Sequence, residues 1–450
     1  MSNAFRPSRP VKYRAVTRQN VKRTREWTLI PRDLRKAIEI VSLVLPFRTN
    51  EYVMRDLIDW SNLPDDPIFQ LTFPQRGMLE PESYDRIAGL MRGGAPKDEM
   101  DAAVSGIRLG LNPHPAGQMT HNVPTLDGRP LKGVQHKYDQ TVLFFPSRGQ
   151  TCHAYCTFCF RWPQFVGMDD MTFAGKEIGP LVEYLKRNPQ ISDVIFTGGD
   201  PMIMRTQVFR EYVEPLLTSG LDSLRTIRIG TKAIGYWPQR FVSDADADDL
   251  LRTFERIIRA RKNVAIMGHF SHPVELSTPV AREAIRRIRS TGANVYMQSP
   301  VIRHVNDSSD TWAKLWRRGV KLGCIPYYMF VERNTGARNY FEVPLARVWK
   351  IFQGAYQQVS GVGRTVRGPS MSAFPGKVHI LGITEIDRRP AFMLEYLQCR
   401  DGRLARTPFF AKFDPEITWF NDLEPLRESD RPFFLEPDSE TNPNVDSLAS

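Results

Sequence analysis

From Thr141 to Val331 the chain alternates short apolar runs with stretches of helical periodicity. The runs are Thr141–Phe145, Asp193–Thr197, Thr226–Thr231, Asn263–Phe270, Asn294–Gln298 and Ile325–Val331. Short runs that are continuously apolar suit strands covered on both faces, and between the third and fourth runs Leu250, Leu251, Phe254, Ile257 and Ile258 mark one face of a helix. Six such alternations predict an α/β fold, a parallel partial (β/α)6 barrel of TIM-like form whose loops after the strand C-termini carry the functional groups.

Two of those loops carry chemistry. Cys152, Cys156 and Cys159 follow the first run with the spacing Cys-x3-Cys-x2-Cys, and Thr197-Gly-Gly-Asp-Pro201 closes the second. Three thiolates without a fourth leave one iron of a [4Fe–4S] cluster free to bind and activate a small molecule. A structural zinc site completed by His153 uses the same residues. Cys324 and Cys399 are distant and unpaired in spacing, and the strand before the motif and the glycine turn after it favour the cluster.

Composition limits the remaining classes. The formal charge is +11, but residues 1–36 hold eleven Lys and Arg against only Glu26 and Asp33, so that segment supplies +9. It reads as a basic, flexible arm rather than a nucleic-acid reader. Residues 37–135 read as helical, with a linker or lining loop from Gly110 to Gly133. The barrel occupies 136–345, a mixed α/β extension 346–428 and a disordered tail 429–450. Five cysteines with no disulfide framework and no long apolar segment predict a soluble cytoplasmic protein without a membrane partner.

The cysteine motif and Gly198-Gly199-Asp200-Pro201 are followed in order by Arg228-Ile-Gly-Thr-Lys232, Trp237-Pro-Gln-Arg240, His269-Phe-Ser-His-Pro273, Gln298-Ser299, Val305-Asn-Asp307 and Ile325-Pro-Tyr-Tyr328. From about residue 45 to 385 these blocks resemble the lysine 2,3-aminomutase family of radical S-adenosylmethionine (radical SAM) enzymes. The resemblance implies a [4Fe–4S] cluster on Cys152, Cys156 and Cys159, S-adenosylmethionine and pyridoxal 5′-phosphate (PLP), with an electron donor such as flavodoxin or ferredoxin. It implies an aminomutase-type isomerase, in which a 5′-deoxyadenosyl radical takes hydrogen from an amino acid held as a PLP imine and the amino group migrates from C2 to C3. Gly198 and Gly199 would let backbone approach the methionyl group of S-adenosylmethionine, Asp200 would accept from its ammonium, and His269 would supply a polar contact.

The same resemblance makes Lys377, in Phe374-Pro-Gly-Lys377, the candidate imine-forming lysine. Ser372-Ala-Phe-Pro375 stands where the family has mostly glycine. Lys137 matches a family arginine near the cofactor phosphate, and Thr141 replaces a second one. Arg161 falls on the arginine that clamps the substrate carboxylate. Arg333 and Ser370 occupy the two positions where lysine-specific enzymes carry acids; like charges about 4 Å apart cost about 4 kcal/mol near a protein surface, so Arg333 argues against lysine. A glutamate-like or polar amino acid is expected, although Glu332 beside Arg333 would partly restore a preference for an amine if the register slipped by one residue. The family's zinc cluster is represented only by Cys399, so zinc-linked oligomerisation is not expected. Two alternatives use the same residues differently: PLP-independent hydrogen abstraction for dehydrogenation, epimerisation or carbon–carbon bond formation on a carboxylate-bearing metabolite, and a non-catalytic iron–sulfur or zinc protein that binds RNA or a partner through its basic arm.

Overall fold

A computed structural model describes residues 12–112, 122–167 and 173–434. Its main sheet has eleven strands, seven of them parallel and adjacent in chain order: Thr141–Phe144, Asp193–Phe196, Thr226–Thr231, Asn263–His269, Asn294–Val301, Ile325–Val331 and Arg367–Ser372. Helices connect successive members, as parallel neighbours require. The sheet ends in an antiparallel strand at each side, Val134–Tyr138 and Phe409–Lys412, and these edges do not pair. The result is a partial, open barrel.

Strand and helix patterns together explain which face is lined by what. In Thr226–Thr231, Ile227, Ile229 and Thr231 are buried while Thr226, Arg228 and Gly230 are half-buried. Because successive side chains point to opposite faces, one set joins the helices and the other faces the barrel interior. Ile227 and Ile229 share a core with Leu250, Phe254 and Ile257 of helix Ala247–Arg259. Asp248 and Asp249 in its first turn, with Arg256 and Arg259 in its last, complement the helix dipole.

The six expected strands lie within a few residues of their predicted bounds, and the extra parallel strand, Arg367–Ser372, holds Ser370. Gly368 fits there for want of a side chain, since a Cβ would lie 2.4 Å from Met329 O. Beyond it the strands Gly376–Ile386, Arg389–Cys399 and Phe409–Lys412 continue the sheet antiparallel.

Two boundary expectations need correction. The basic arm is not flexible from Lys12 onward: Ala15–Thr17 pairs with Arg48–Asn50, and Val16, Val21, Trp27 and Ile30 are buried. They join Ile38, Phe69 and Phe73 in a second core that also takes in Ala154, Phe158 and Trp162 from the cysteine region. At the other end, the tail expected from 429 is folded to Phe434. Phe433 stacks on Phe409 at 4.6 Å and Phe434 on Phe420 at 5.2 Å. Residues 1–11, 113–121 of the expected linker, and 435–450 lie outside the described residues. Among those described, no helix is long and apolar enough to cross a membrane.

Candidate active site

The cysteine loop leaves the C-terminal end of Thr141–Phe144 and is clamped by the N-terminal region. Arg48 Nη1 donates to Thr151 Oγ1 at 2.9 Å and to Cys152 O at 3.3 Å, Asn50 Nδ2 to His153 O at 3.2 Å, and Tyr13 Oη to the same carbonyl at 2.8 Å. Thr157 N donates to Leu71 O at 3.0 Å and Thr157 Oγ1 to Gln70 O at 2.7 Å. The three cysteines are unpaired and half-buried. Burial raises all three thiols, Cys156 to about 12 and Cys159 to about 11, and the charge of neighbouring cysteines adds to it at Cys152 and Cys156. Such a trio needs an external positive charge to ionise, which an iron cluster supplies.

Among the described residues no three His, Cys, Asp or Glu side chains are gathered around a single-ion position. His153, the fourth ligand of the zinc alternative, is packed instead between Tyr13 and Trp237, with ring centroids at 5.3 and 6.4 Å.

The Gly198-Gly199-Asp200 turn is stitched to the entrance of this loop. A Cβ on Gly199 would lie 2.5 Å from both the N and the O of Thr151, and one on Gly198 2.3 Å from Gln150 Nε2. Asp200 N donates to Gly149 O and Thr151 O at 3.0 and 2.8 Å. These glycines thus admit a close approach of the cysteine loop. Asp200 is buried, and its carboxylate accepts from Met202 N at 2.9 Å, Thr231 Oγ1 at 2.7 Å and Lys232 N at 2.9 Å. It locks the turn to the next strand. His269, at the end of its strand, sets its ring edge-on to Phe158 at 5.7 Å and its Nε2 3.2 Å from Ser299 Oγ. Burial lowers its pKa well below the usual value, so the imidazole is neutral.

A basic group adjoins the cysteines. The Arg161 guanidinium lies 4.0 Å from the Phe145 ring centroid, and Phe160 lies between it and Arg333, at 5.6 and 5.4 Å. Lys137 Nζ donates to Ala373 O at 2.5 Å. Its pKa falls to about 7, chiefly through burial and then through Arg400, Arg333 and Lys377. Lys377 Nζ sits 4.1 Å above the Tyr328 ring, and burial, with Arg228 and Arg367 nearby, lowers it to about 8. Among the described residues Arg161, Arg333, Lys137, Lys377 and Arg400 form no ion pair. Arg333 Nε and Ser370 Oγ are buried without a hydrogen-bond partner. The orphaned Arg333 donor, among cations without ion pairs, fits an anionic, hydrogen-bonding group such as a phosphate or carboxylate. Glu332 is buried next to Arg333, and burial holds its carboxyl well above the usual range.

Some site residues are absent from the sequence-based set. Arg400 approaches Lys137 from the antiparallel extension, and the Lys232–Glu275 pair lies behind Cys156 through Tyr236. Lys232 and Tyr236 stand in or beside the block Arg228–Lys232 that carries the resemblance, but no local pattern marks Arg400.

No family model matches the chain. It is similar to a putative L-lysine 2,3-aminomutase of Aquifex aeolicus, 28% identical over 397 residues, covering 88% of this chain and 92% of that protein. L-lysine 2,3-aminomutases of Bacillus subtilis and Acetoanaerobium sticklandii are 29% and 27% identical over 52% and 57% of this chain. There the chain spans about half the relatives' own length, 46% and 58%. Among solved structures, a radical SAM methyltransferase from Sphaerobacter thermophilus aligns over 54% of this chain and 71% of its own at 18% identity and a TM-score of 0.37, too partial a likeness to argue from. Over nearly nine-tenths of its length the chain is thus similar to a protein described as a putative L-lysine 2,3-aminomutase, in agreement with the order of its motifs.

Proposed function

We propose that this protein is a radical SAM aminomutase acting on an amino acid with an acidic or neutral polar side chain, glutamate-like rather than lysine. The reading is carried by one observation: cations without ion pairs run from the three free thiols to Lys377, with Arg161 within electrostatic reach of Cys159 and Arg333, and Lys137 within reach of Arg333 and Lys377. When bound, the [4Fe–4S] cluster and S-adenosylmethionine supply a hydrogen-abstracting radical, and PLP stabilises the substrate-derived radical.

The chain's own residues have assigned tasks in this reading. Cys152, Cys156 and Cys159 hold the cluster in a loop fixed by Arg48 and Asn50. Gly198 and Gly199 set the turn against that loop, and His269 stays neutral beside it as a hydrogen-bonding group for S-adenosylmethionine. Lys137 and Arg400 bind phosphate. Lys377, its amine freed of a proton near pH 8, holds the cofactor covalently. Arg161 binds the substrate α-carboxylate through two parallel hydrogen bonds. Arg333 and Ser370 receive the side chain; the orphaned Arg333 Nε offers a donor to a carboxylate and repulsion to an ammonium.

The test is formation of 5′-deoxyadenosine by the reconstituted enzyme with L-glutamate or L-lysine as co-substrate. Glutamate-dependent formation supports the reading, and stimulation by lysine alone overturns it.

A further inference from the structure

Tyr236 is 1% exposed, at the end of the short helix Ala233–Tyr236 that follows strand Thr226–Thr231. Its hydroxyl lies 3.9 Å from Cys156 Sγ and has no other hydrogen-bond partner among the described residues. Its carbonyl accepts from Asn50 Nδ2 at 3.0 Å, which ties it to the same residue that holds the cysteine loop. Over its ring, 4.6 Å from the centroid, stands Lys232 Nζ. Lys232 donates to Glu275 Oε2 at 2.8 Å, Ser271 Oγ at 3.2 Å and His269 O at 3.3 Å. Glu275 is fully buried, and its other oxygen takes the N–H groups of Ser271 and His272 at 2.8 and 3.0 Å.

A buried ion pair seldom improves stability over apolar residues of the same volume. A buried phenol whose one partner is a sulfur is likewise a poor packing choice when phenylalanine has the same shape. Both features acquire a role if Cys156 carries charge. We propose that Tyr236 donates its O–H to the Cys156 sulfur when that thiolate ligates the iron–sulfur cluster, that Lys232 strengthens the donor from the ring face, and that together they raise the cluster's reduction potential. The inference rests on the reading of Cys156 as a cluster ligand.

Reduction adds one electron from an external donor to the cluster, with no bond made or broken in the protein. The added negative charge is shared by the ligand sulfurs, so a hydrogen bond and a cation at one of them stabilise the reduced form more than the oxidised form. A cation on the ring face draws electron density from the phenol and makes its O–H the stronger donor. Tyr236 and Lys232 are thus positioning residues: they act on the ease of electron entry through Cys156, not on the substrate.

The measurement is a dithionite titration, monitored by electron paramagnetic resonance, of the reconstituted full chain without S-adenosylmethionine or substrate. Tyr236→Phe is expected to hold as much iron as wild type but to show a reduced-to-oxidised ratio about tenfold lower at the wild-type midpoint, a shift of about 59 mV for one electron. Placing 3-fluorotyrosine at position 236 makes the phenol a stronger donor and is expected to move the midpoint the other way. Coincident midpoints in iron-loaded wild type and Tyr236→Phe overturn the inference and leave the cluster intact. If Tyr236→Phe does not retain iron, the fluorinated protein decides, with an unchanged midpoint as the contrary result. A wild type that binds no iron removes the cluster reading and this inference with it.

Discussion

Lys137 Nζ and Arg400 Nε donate to neighbouring carbonyls of one segment, Ala373 O at 2.5 Å and Phe374 O at 3.2 Å. Lys137 belongs to the strand at one edge of the open sheet, and Arg400 follows a strand near the other. The two sides of the incomplete barrel therefore meet at the segment that leads to Lys377. Arg400 N also donates to Pro375 O at 3.0 Å.

In the proposed reading this pair of basic groups receives the cofactor phosphate. Lys137→Met and Arg400→Met are each expected to weaken PLP binding about tenfold, near the lower end for a charge-assisted hydrogen bond. Inorganic phosphate should compete in the wild type and lose effect in both variants. Absorbance titration of the cofactor measures this, and unaltered affinity in both variants removes the phosphate assignment.

Lys377 gives a pH prediction. Its folded-state pKa, about 8, is depressed from the ordinary 10.5 chiefly by burial. The unfolded chain therefore binds more protons between these values, and stability rises with pH across that window. Below about pH 8 the buried ammonium is a full penalty, so Lys377→Met should raise the melting temperature of the cofactor-free protein at pH 7 and have less effect near pH 10. Borohydride labelling with PLP should increase through about pH 8 in wild type and vanish in the variant. Persistent labelling of Lys377→Met, mapped by peptide mass, would assign the reactive amine elsewhere.

Selectivity should follow charge at position 333. Arg333→Asp is expected to shift relative binding from glutamate toward lysine by at least about tenfold, because it removes a like-charge repulsion worth a few kcal/mol. Calorimetric titration of both amino acids checks it; a glutamate preference kept by the variant would move the side-chain pocket away from Arg333.

Gly199→Ala tests the joint between the two loops. Its Cβ has only 2.5 Å to the Thr151 backbone, which has no flexible end to swing aside. The variant should lose about 1–3 kcal/mol of stability, as overpacked sites do, and take up less iron on reconstitution. Wild-type stability and iron content would show that the loops can separate without consequence.

Legibility followed physical signal. The six barrel strands were readable because both faces are covered, which writes each as a continuous apolar run. Arg367–Ser372 was not, because Gly368-Pro369-Ser370 has turn chemistry and becomes a strand only between Ile325–Val331 and Gly376–Ile386. The order of Val16, Val21 and Trp27 was hidden for another reason: they serve a lone strand and two short 3-10 helices, which leave no periodicity among eleven basic residues. The cysteines, Arg161, Arg333, Lys137 and Lys377 were named by motif or resemblance, and the fold brings them within electrostatic reach. Arg400 needed the fold itself, since nothing local connects it to Lys137. The Gly198-Gly199 turn was readable as a place of close backbone approach, but its contact with Thr151 needed the fold.

The central claim is that three thiols hold a cluster with one iron open to S-adenosylmethionine. Its most direct measurement is iron content and 5′-deoxyadenosine yield of anaerobically reconstituted wild type and Cys156→Ala under dithionite. The account predicts a four-iron cluster and 5′-deoxyadenosine from the wild type, with both lost in the variant. Wild-type protein that binds no iron, or binds it and leaves S-adenosylmethionine intact, contradicts it.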